Sequence, residues 1–171
     1  MERSPAPLEQ IRTFGDPVLK SVTREVTEFG DDLRRLADLM FEVMEREEGI
    51  GLAANQIGIA KKVFVWHNPE TEEHFVLVNP RIVDRTGETI TDSEACLSVP
   101  GYSMQVPRHE RVVVEGQNVN GQPVTVEATG FLARIFQHEI DHLEGHIILD
   151  RAIPEERKRV LKEMREHDLE S

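Results

Sequence analysis

The sequence predicts an α+β fold in which antiparallel β-sheets pack around a central helix, with a long helix in the N-terminal half and another at the C-terminus. Three observations carry this. Apolar residues recur at helical spacing over 33–44. Alternating apolar runs between 61 and 128 are separated by turn residues. A segment at 131–144 has apolar residues on two of its three faces. With 171 residues, the chain fits a single domain spanning 1–171.

Residues 1–8 read as a loose arm. The first helix buries Leu33, Leu36, Met40, Val43 and Met44, while Arg34, Arg35, Asp38, Glu42 and Glu45 take the solvent side. Asp31 or Asp32 is its expected cap, and Gly49 its left-handed stop. The stretch GIGLAANQIG (49–58) is neither a good helix nor a good strand, and its three glycines suggest a turn or a close approach by another backbone. KKVFVW (61–66) and HFVLVNP (74–80) form a hairpin around Asn68 and Pro69. RVVVEG (111–116) and PVTVEA (123–128) flank the tight-turn pair Asn120–Gly121. The second helix runs from about Phe131 to Glu144 and ends at Gly145. One stripe carries Arg134, Gln137, Asp141 and Glu144, another Phe131, Ile135, His138 and His142, and a third Leu132, Phe136, Glu139 and Leu143. Such a helix is largely buried, so its ionisable groups need a reason to be inside. A third, amphipathic helix is expected over 154–167.

Composition excludes several classes of function. The formal charge of −12 repels phosphate backbones and anionic lipid, so direct DNA binding and a membrane role are not expected. No stretch approaches the roughly 18 apolar residues of a membrane span. The single cysteine, Cys96, permits no internal disulfide and fits a cytoplasmic protein.

The chemistry lies in HEIDH at 138–142. On a helix, positions i and i+4 share a face, so His138 and His142 can bind one metal, and the second helix is read as the metal-binding one. Glu139 occupies the adjacent stripe, within reach of a water on that metal. The metal lowers the water pKa from about 15.7 towards about 7, and the carboxylate takes the proton. A third ligand is needed. Position 148 is Ile148, which breaks the pattern of a third downstream histidine. Glu163 and Glu166 lie in range, but within the alternating charges of RKRVLKEMREH. His67, His74, His109, His146 and His167 stand in polar or turn-like settings. Cys96, in SEACLSVPG (93–101), is the better candidate, although a lone cysteine is often just a small buried hydrophobe. A thiolate with two imidazoles leaves one position open and suits iron or zinc better than magnesium or calcium.

With GIGLAANQ (49–56), EACLS (94–98) and HEIDHLEG (138–145) in this order, the chain resembles the peptide deformylase family. IRTFGDPVL (11–19) and GHIILDR (145–151) extend the likeness over roughly residues 10–152. The resemblance implies a hydrolase that removes the formyl group from the N-terminal formylmethionine of new polypeptides and releases formate. It implies Cys96, His138 and His142 as ligands of one divalent metal, natively Fe2+, with Zn2+, Ni2+ or Co2+ able to replace it. Glu139 is then the base, and Gln56 with the Leu97 N–H meets the developing oxyanion. Ile50, Gly51 and Ala95 offer backbone hydrogen bonds to N-formylmethionyl peptides. Phe131 and Ile135 continue the metal face and can line a methionine pocket. Glu94 and Arg108 match an ion pair that supports the cysteine loop. Ala95 departs from the family, which carries glycine before the cysteine. The family works near the ribosomal exit tunnel, so the ribosome is a possible partner for the C-terminal helix.

Two other readings stay open. One is a zinc-dependent endopeptidase that takes Glu163 or Glu166 as its third ligand. The other is a metal-stabilised binding module without turnover.

Overall fold

A computed structural model describes residues 10–170, so the expected loose arm at 1–8 lies outside the described residues. The expected α+β fold is present: among the described residues the strands form one five-stranded antiparallel sheet, in order β1-β2-β3-β4-β5. Its strands are β1 (Gly51–Ala53), β2 (Val63–His67), β3 (His74–Ala95), β4 (Ser103–Gln117) and β5 (Pro123–Thr129). The helices are α1 (Asp31–Arg46), α2 (Gly130–Leu143), the short α3 (Ile148–Arg151) and α4 (Pro154–Glu170).

Period-two alternation in β2 explains the layering. Val63 and Val65 face one side and pack with Leu36, Met40, Val43 and Met44 of α1. Phe64 and Trp66 face the other side and pack with Ala133, Phe136, Ile140 and Leu143 of α2. The β2 part of the sheet is therefore buried between α1 and α2, and β2 reads as a continuous apolar run for that reason. A third cluster joins Leu19, Val99, Met104 and Val106 to Ile147–Leu149 and to Val160 of α4.

Both expected hairpins are present, with Val63 to His67 opposite Val78 to His74, and Arg111 to Gln117 opposite Thr129 to Pro123. Two helix ends differ from expectation. Gly30 holds the cap position of α1, while Asp31 and Asp32 lie in its first turn beside Arg34 and Arg35. There they favour the positive end of the helix dipole. The left-handed residue after α1 is Glu48, with φ 56°, and not Gly49. Gly49 is small for another reason, since a Cβ there would lie 3.1 Å from Leu97 Cδ1. The C-terminal helix runs three residues beyond the expected end, and α3 is an element the sequence pattern did not indicate.

The largest departure is the length of β3 and β4. Their pairing continues from Arg81–Glu115 to Ala95–Ser103, through two register shifts. Over 83–93 every β3 residue is exposed, so no apolar face marks the strand. Pro80 and Pro107, both inside strands, also argue against strand by composition. This ribbon delivers Cys96 to the site, because the ladder ends at Ala95 and the chain turns there.

Gly145 does end α2. It has φ 85°, and the His146 and Gly145 N–H groups bond Asp141 O and His142 O, which closes the last turn. A Cβ at Gly145 would lie 2.7 Å from Lys20 O. Gly145→Ala is therefore expected to cost about 2 kcal/mol or more, combining left-handed strain with a backbone clash, measured by urea unfolding.

Candidate metal centre

Helix α2 places His138 and His142 one turn apart, facing the turn that follows β3. Cys96 Sγ lies 3.3 Å from His142 Nε2, which lies 3.2 Å from His138 Nε2. These three ligand atoms all fall within 4.8 Å of one another, and among the described residues no other group of three or more such side chains does so. Burial alone would push the Cys96 thiol up. The charge of His142 and hydrogen bonding with His138 outweigh it and hold the thiol well below its ordinary value. Burial opposes charge on His138 too, yet Cys96 and Glu94 push it well above its ordinary value. Soft sulfur and two imidazoles converging in this way form a donor set that fits a divalent cation.

Glu94 fixes the orientation of this group. Its carboxylate accepts from Arg108 Nε at 2.9 Å and Arg108 Nη2 at 3.0 Å, from Arg134 Nη1 at 2.6 Å, and lies 2.9 Å from His138 Nδ1. Holding Nδ1 there turns Nε2 toward the sulfur. Burial alone would raise the Glu94 carboxyl, but hydrogen bonds from His138 and Arg108 hold it far below its usual range. Arg108 also pairs with Asp141, and Asp141 with Arg151.

The sequence signal for Arg134 and Asp141 was their place on the polar stripe of α2. That stripe faces β4, not water: Gln137 Oε1 accepts from His109 N at 3.0 Å and Gln137 Nε2 donates to His109 O at 2.9 Å. Asn55 was also missed. It is fully buried and donates to His142 O, helping to seat the ligand helix.

Glu139 is 3% exposed, and its Oε2 has no hydrogen-bond partner among the described residues. Burial pushes its carboxyl up, opposed but not cancelled by His138 and His142. A Cβ on Gly51 would lie 2.9 Å from Glu139 Oε1, so glycine there makes room for this side chain. Gln56 stands in a 3-10 turn (Ala54–Ile57) with its Nε2 3.5 Å from Cys96 Sγ.

Cys96, His138, Glu139, Glu94, Gln56 and Gly51 open onto one cleft of about 880 Å3, lined also by Ile50, Ala95, Leu97, Phe131 and Ile135. Phe131 is 57% exposed and so sits at the rim. β1 is an edge strand. Ile50 O is taken by His67 N–H at 2.8 Å, so alternation turns the Gly51 N–H and C=O to the free edge. Ala95, the last residue of β3, does not have the positive φ that would demand glycine. Leu97 N–H makes no hydrogen bond among the described residues. Glu163 and Glu166 lie elsewhere, exposed on α4 and paired with Arg159 and Lys162.

Comparison with known proteins agrees with this geometry. The polypeptide deformylase family profile matches residues 8–158. A peptide deformylase of Thermodesulfovibrio yellowstonii is 42% identical over 152 residues, covering 87% of this chain and 92% of that one. One from Desulforudis audaxviator is 46% identical over 143 residues, covering 84% and 92%. The crystal structure of peptide deformylase from Thermus thermophilus superposes with a TM-score of 0.85 at 40% identity, covering 91% of this chain and 92% of that one. A plant peptide deformylase structure gives 0.89 at 31% identity, covering 99% and 94%.

Removing the Glu94 charge takes the carboxylate partner from buried Arg108, which keeps Asp141, and from half-buried Arg134. Glu94→Gln is expected to cost about 3–5 kcal/mol in urea unfolding. A carboxyl held low in the fold stabilises it fully above its ordinary value of 4.5 and loses that contribution as pH falls below it. The variant is expected to show a shallower loss of stability below that pH than the parent chain.

Proposed function

This chain belongs to the polypeptide deformylase family and hydrolyses the formyl group from N-terminal formylmethionine, releasing formate; we propose the roles of its residues as follows. Cys96, His138 and His142 hold one divalent metal ion, natively Fe2+, with Zn2+, Ni2+ or Co2+ as substitutes. Such an ion supplies Lewis acidity, acidifying water and polarising the formyl oxygen. Glu139 takes the proton of the attacking water and delivers it to the departing amine. Its raised affinity for protons, from burial, suits that exchange. Gln56 Nε2 and the Leu97 N–H donate to the oxygen as charge develops on it. Gly51 and Ala95 supply backbone hydrogen bonds to an extended peptide, with Ile50 beside them and Phe131 and Ile135 against the methionine side chain. Glu94 and Arg108 support the cysteine turn.

The observation that carries this reading is the convergence of one sulfur and two imidazoles beside a buried carboxylate oxygen that has no partner. The endopeptidase reading is not favoured, because its downstream glutamates are exposed on α4 and paired there.

The reading carries a cytoplasmic setting. Among the described residues no helix is long and apolar enough to cross a membrane. It also carries contact with the ribosome near the exit tunnel through the outer face of α4, where Lys158, Lys162 and Arg165 are exposed. The inner face is structural, since Val160 is fully buried and Arg159 donates to Ser103 O. Charge reversal of the outer three residues therefore tests docking better than truncation does.

Formate release from a formyl-methionyl peptide, with metal content measured on the same anaerobic sample, tests the assignment. Glu139→Gln is expected to lower kcat by about 10²–10⁴ with metal retained. Cys96→Ala is expected to lose both metal and activity. Retention of both in the cysteine variant contradicts the proposed ligand set. Ala95→Gly is expected to leave metal content unchanged and to move kcat/KM by less than about tenfold, because the position is already extended. Loss of metal there would show that the cysteine turn depends on Ala95.

A further inference from the structure

Gln56 has little freedom in how it presents its carboxamide. Its Oε1 accepts the Ala53 N–H at 2.9 Å, which settles which end of the amide carries oxygen. The Nε2 end faces the cysteine turn, 3.1 Å from Ser98 Oγ and 3.5 Å from Cys96 Sγ. Ser98 is fully buried and belongs to the turn that Val99 N–H closes onto Cys96 O at 3.0 Å. Its own N–H donates to Cys96 Sγ at 3.4 Å, and its carbonyl accepts Phe14 N–H at 2.8 Å. One serine is thus tied to the sulfur, to the amide and to the N-terminal segment.

The two Nε2 hydrogens have competing acceptors. A thiolate carries a full charge and attracts N–H donors more strongly than a neutral oxygen does. An amide drawn wholly onto the sulfur is withdrawn from any substrate oxygen. The Ser98 hydroxyl lies nearer and takes one of the two hydrogens, which sets the plane of the amide.

We propose that Ser98 is a positioning residue for deformylation: its hydroxyl holds the Gln56 amide away from full engagement with Cys96 Sγ, keeping one Nε2–H directed at the place where the formyl oxygen gains charge. This rests on the function proposed above. The hydroxyl acts through its contact with Gln56 Nε2.

The test is a mutant cycle on the metal-loaded enzyme. Ser98→Ala is expected to lower kcat about tenfold, a fraction of what losing a whole oxyanion donor costs, and to move KM by less than about twofold. Metal content stays unchanged, because the contact to sulfur comes from the backbone N–H. In a Gln56→Ala background, Ser98→Ala is expected to lower the rate no further. Ser98→Thr, which keeps the hydroxyl, is expected to recover most of the rate.

A second readout does not depend on turnover. In zinc-loaded, 15N-labelled protein, Ser98→Ala is expected to shift the Gln56 side-chain amide resonances and speed their exchange. The Gln137 amide, held by His109 O at 2.9 Å and Ala133 O at 3.0 Å, serves as the unmoved control. If Ser98→Ala gives no folded protein, Ser98→Gly carries both measurements. Multiplicative effects of the serine and glutamine substitutions, or unmoved Gln56 resonances, overturn the proposal. A shifted Gln56 amide in a chain whose wild type releases no formate supports the positioning and removes the assigned reaction instead.

Discussion

Glu94 is a single carboxylate placed where a β-ribbon and a helix meet, and it must satisfy Arg108, Arg134 and His138 at once. Burying such a charge is costly, and the cost is met only because every approach to it ends in a donor. The residue stands two positions before Cys96 on β3, while His138 lies on α2. The same ion cluster therefore fixes the relation between the sulfur and the imidazole. Arg108 extends it to Asp141, and Asp141 to Arg151 beyond the helix. This network, together with helix periodicity, orients the ligand side chains. That is what preorganisation requires of a site that must keep one coordination position open.

Close packing supplies a second constraint. Glu139 lies so near β1 that a Cβ at position 51 would press on its carboxylate, and a Cβ at Gly49 would crowd Leu97. The proposed base is thereby held in a dry wall against the strand edge that would receive the peptide. The same contact raises its proton affinity and limits its motion. Asn55 and Thr23 add to this from the far side, donating to His142 O and Leu143 O at the C-terminal end of α2. Carbonyls left over at a helix end are in this way turned into anchors for the ligand helix.

How far the sequence revealed all this depends on which physical signal each part carried. The helices showed because their apolar stripes repeat at 3.6 residues, and HEIDH showed because ligand spacing on a helix is rigid. The Glu94–Arg108 pair showed only through family resemblance, since charges fourteen residues apart have no local code. The β3–β4 ribbon stayed hidden because β3 is exposed over 83–93 and both strands carry a proline, so the pattern of β3 matches that of a loop. Arg134, Gln137 and Asp141 were visible as a stripe, but polarity alone does not tell water from a buried partner. Ser98 and Asn55 carried no signal: a small polar residue beside a glycine-rich or proline-containing turn is ordinary until its burial is known. Asp31 and Asp32 show the reverse error, where cap-type residues are present but the chain enters the helix one position earlier, at Gly30.

These parts divide the work in a consistent way. The apolar clusters on the two faces of the sheet hold α1, α2 and the strands together and need no charged group. The third cluster, which contains Cys96 and joins β4 to α3 and α4, is where apolar packing gives way to ions and hydrogen-bonded turns. A mostly apolar wall could hold the cysteine turn, but it could not choose which nitrogen of His138 faces inward or which end of the Gln56 amide does. Directional bonds are needed for both choices, and Glu94 and the Ala53 N–H supply them. The desolvation they demand is carried by the stability of the two apolar clusters behind them, so the fold can keep a strained electrostatic arrangement at one edge without losing its core.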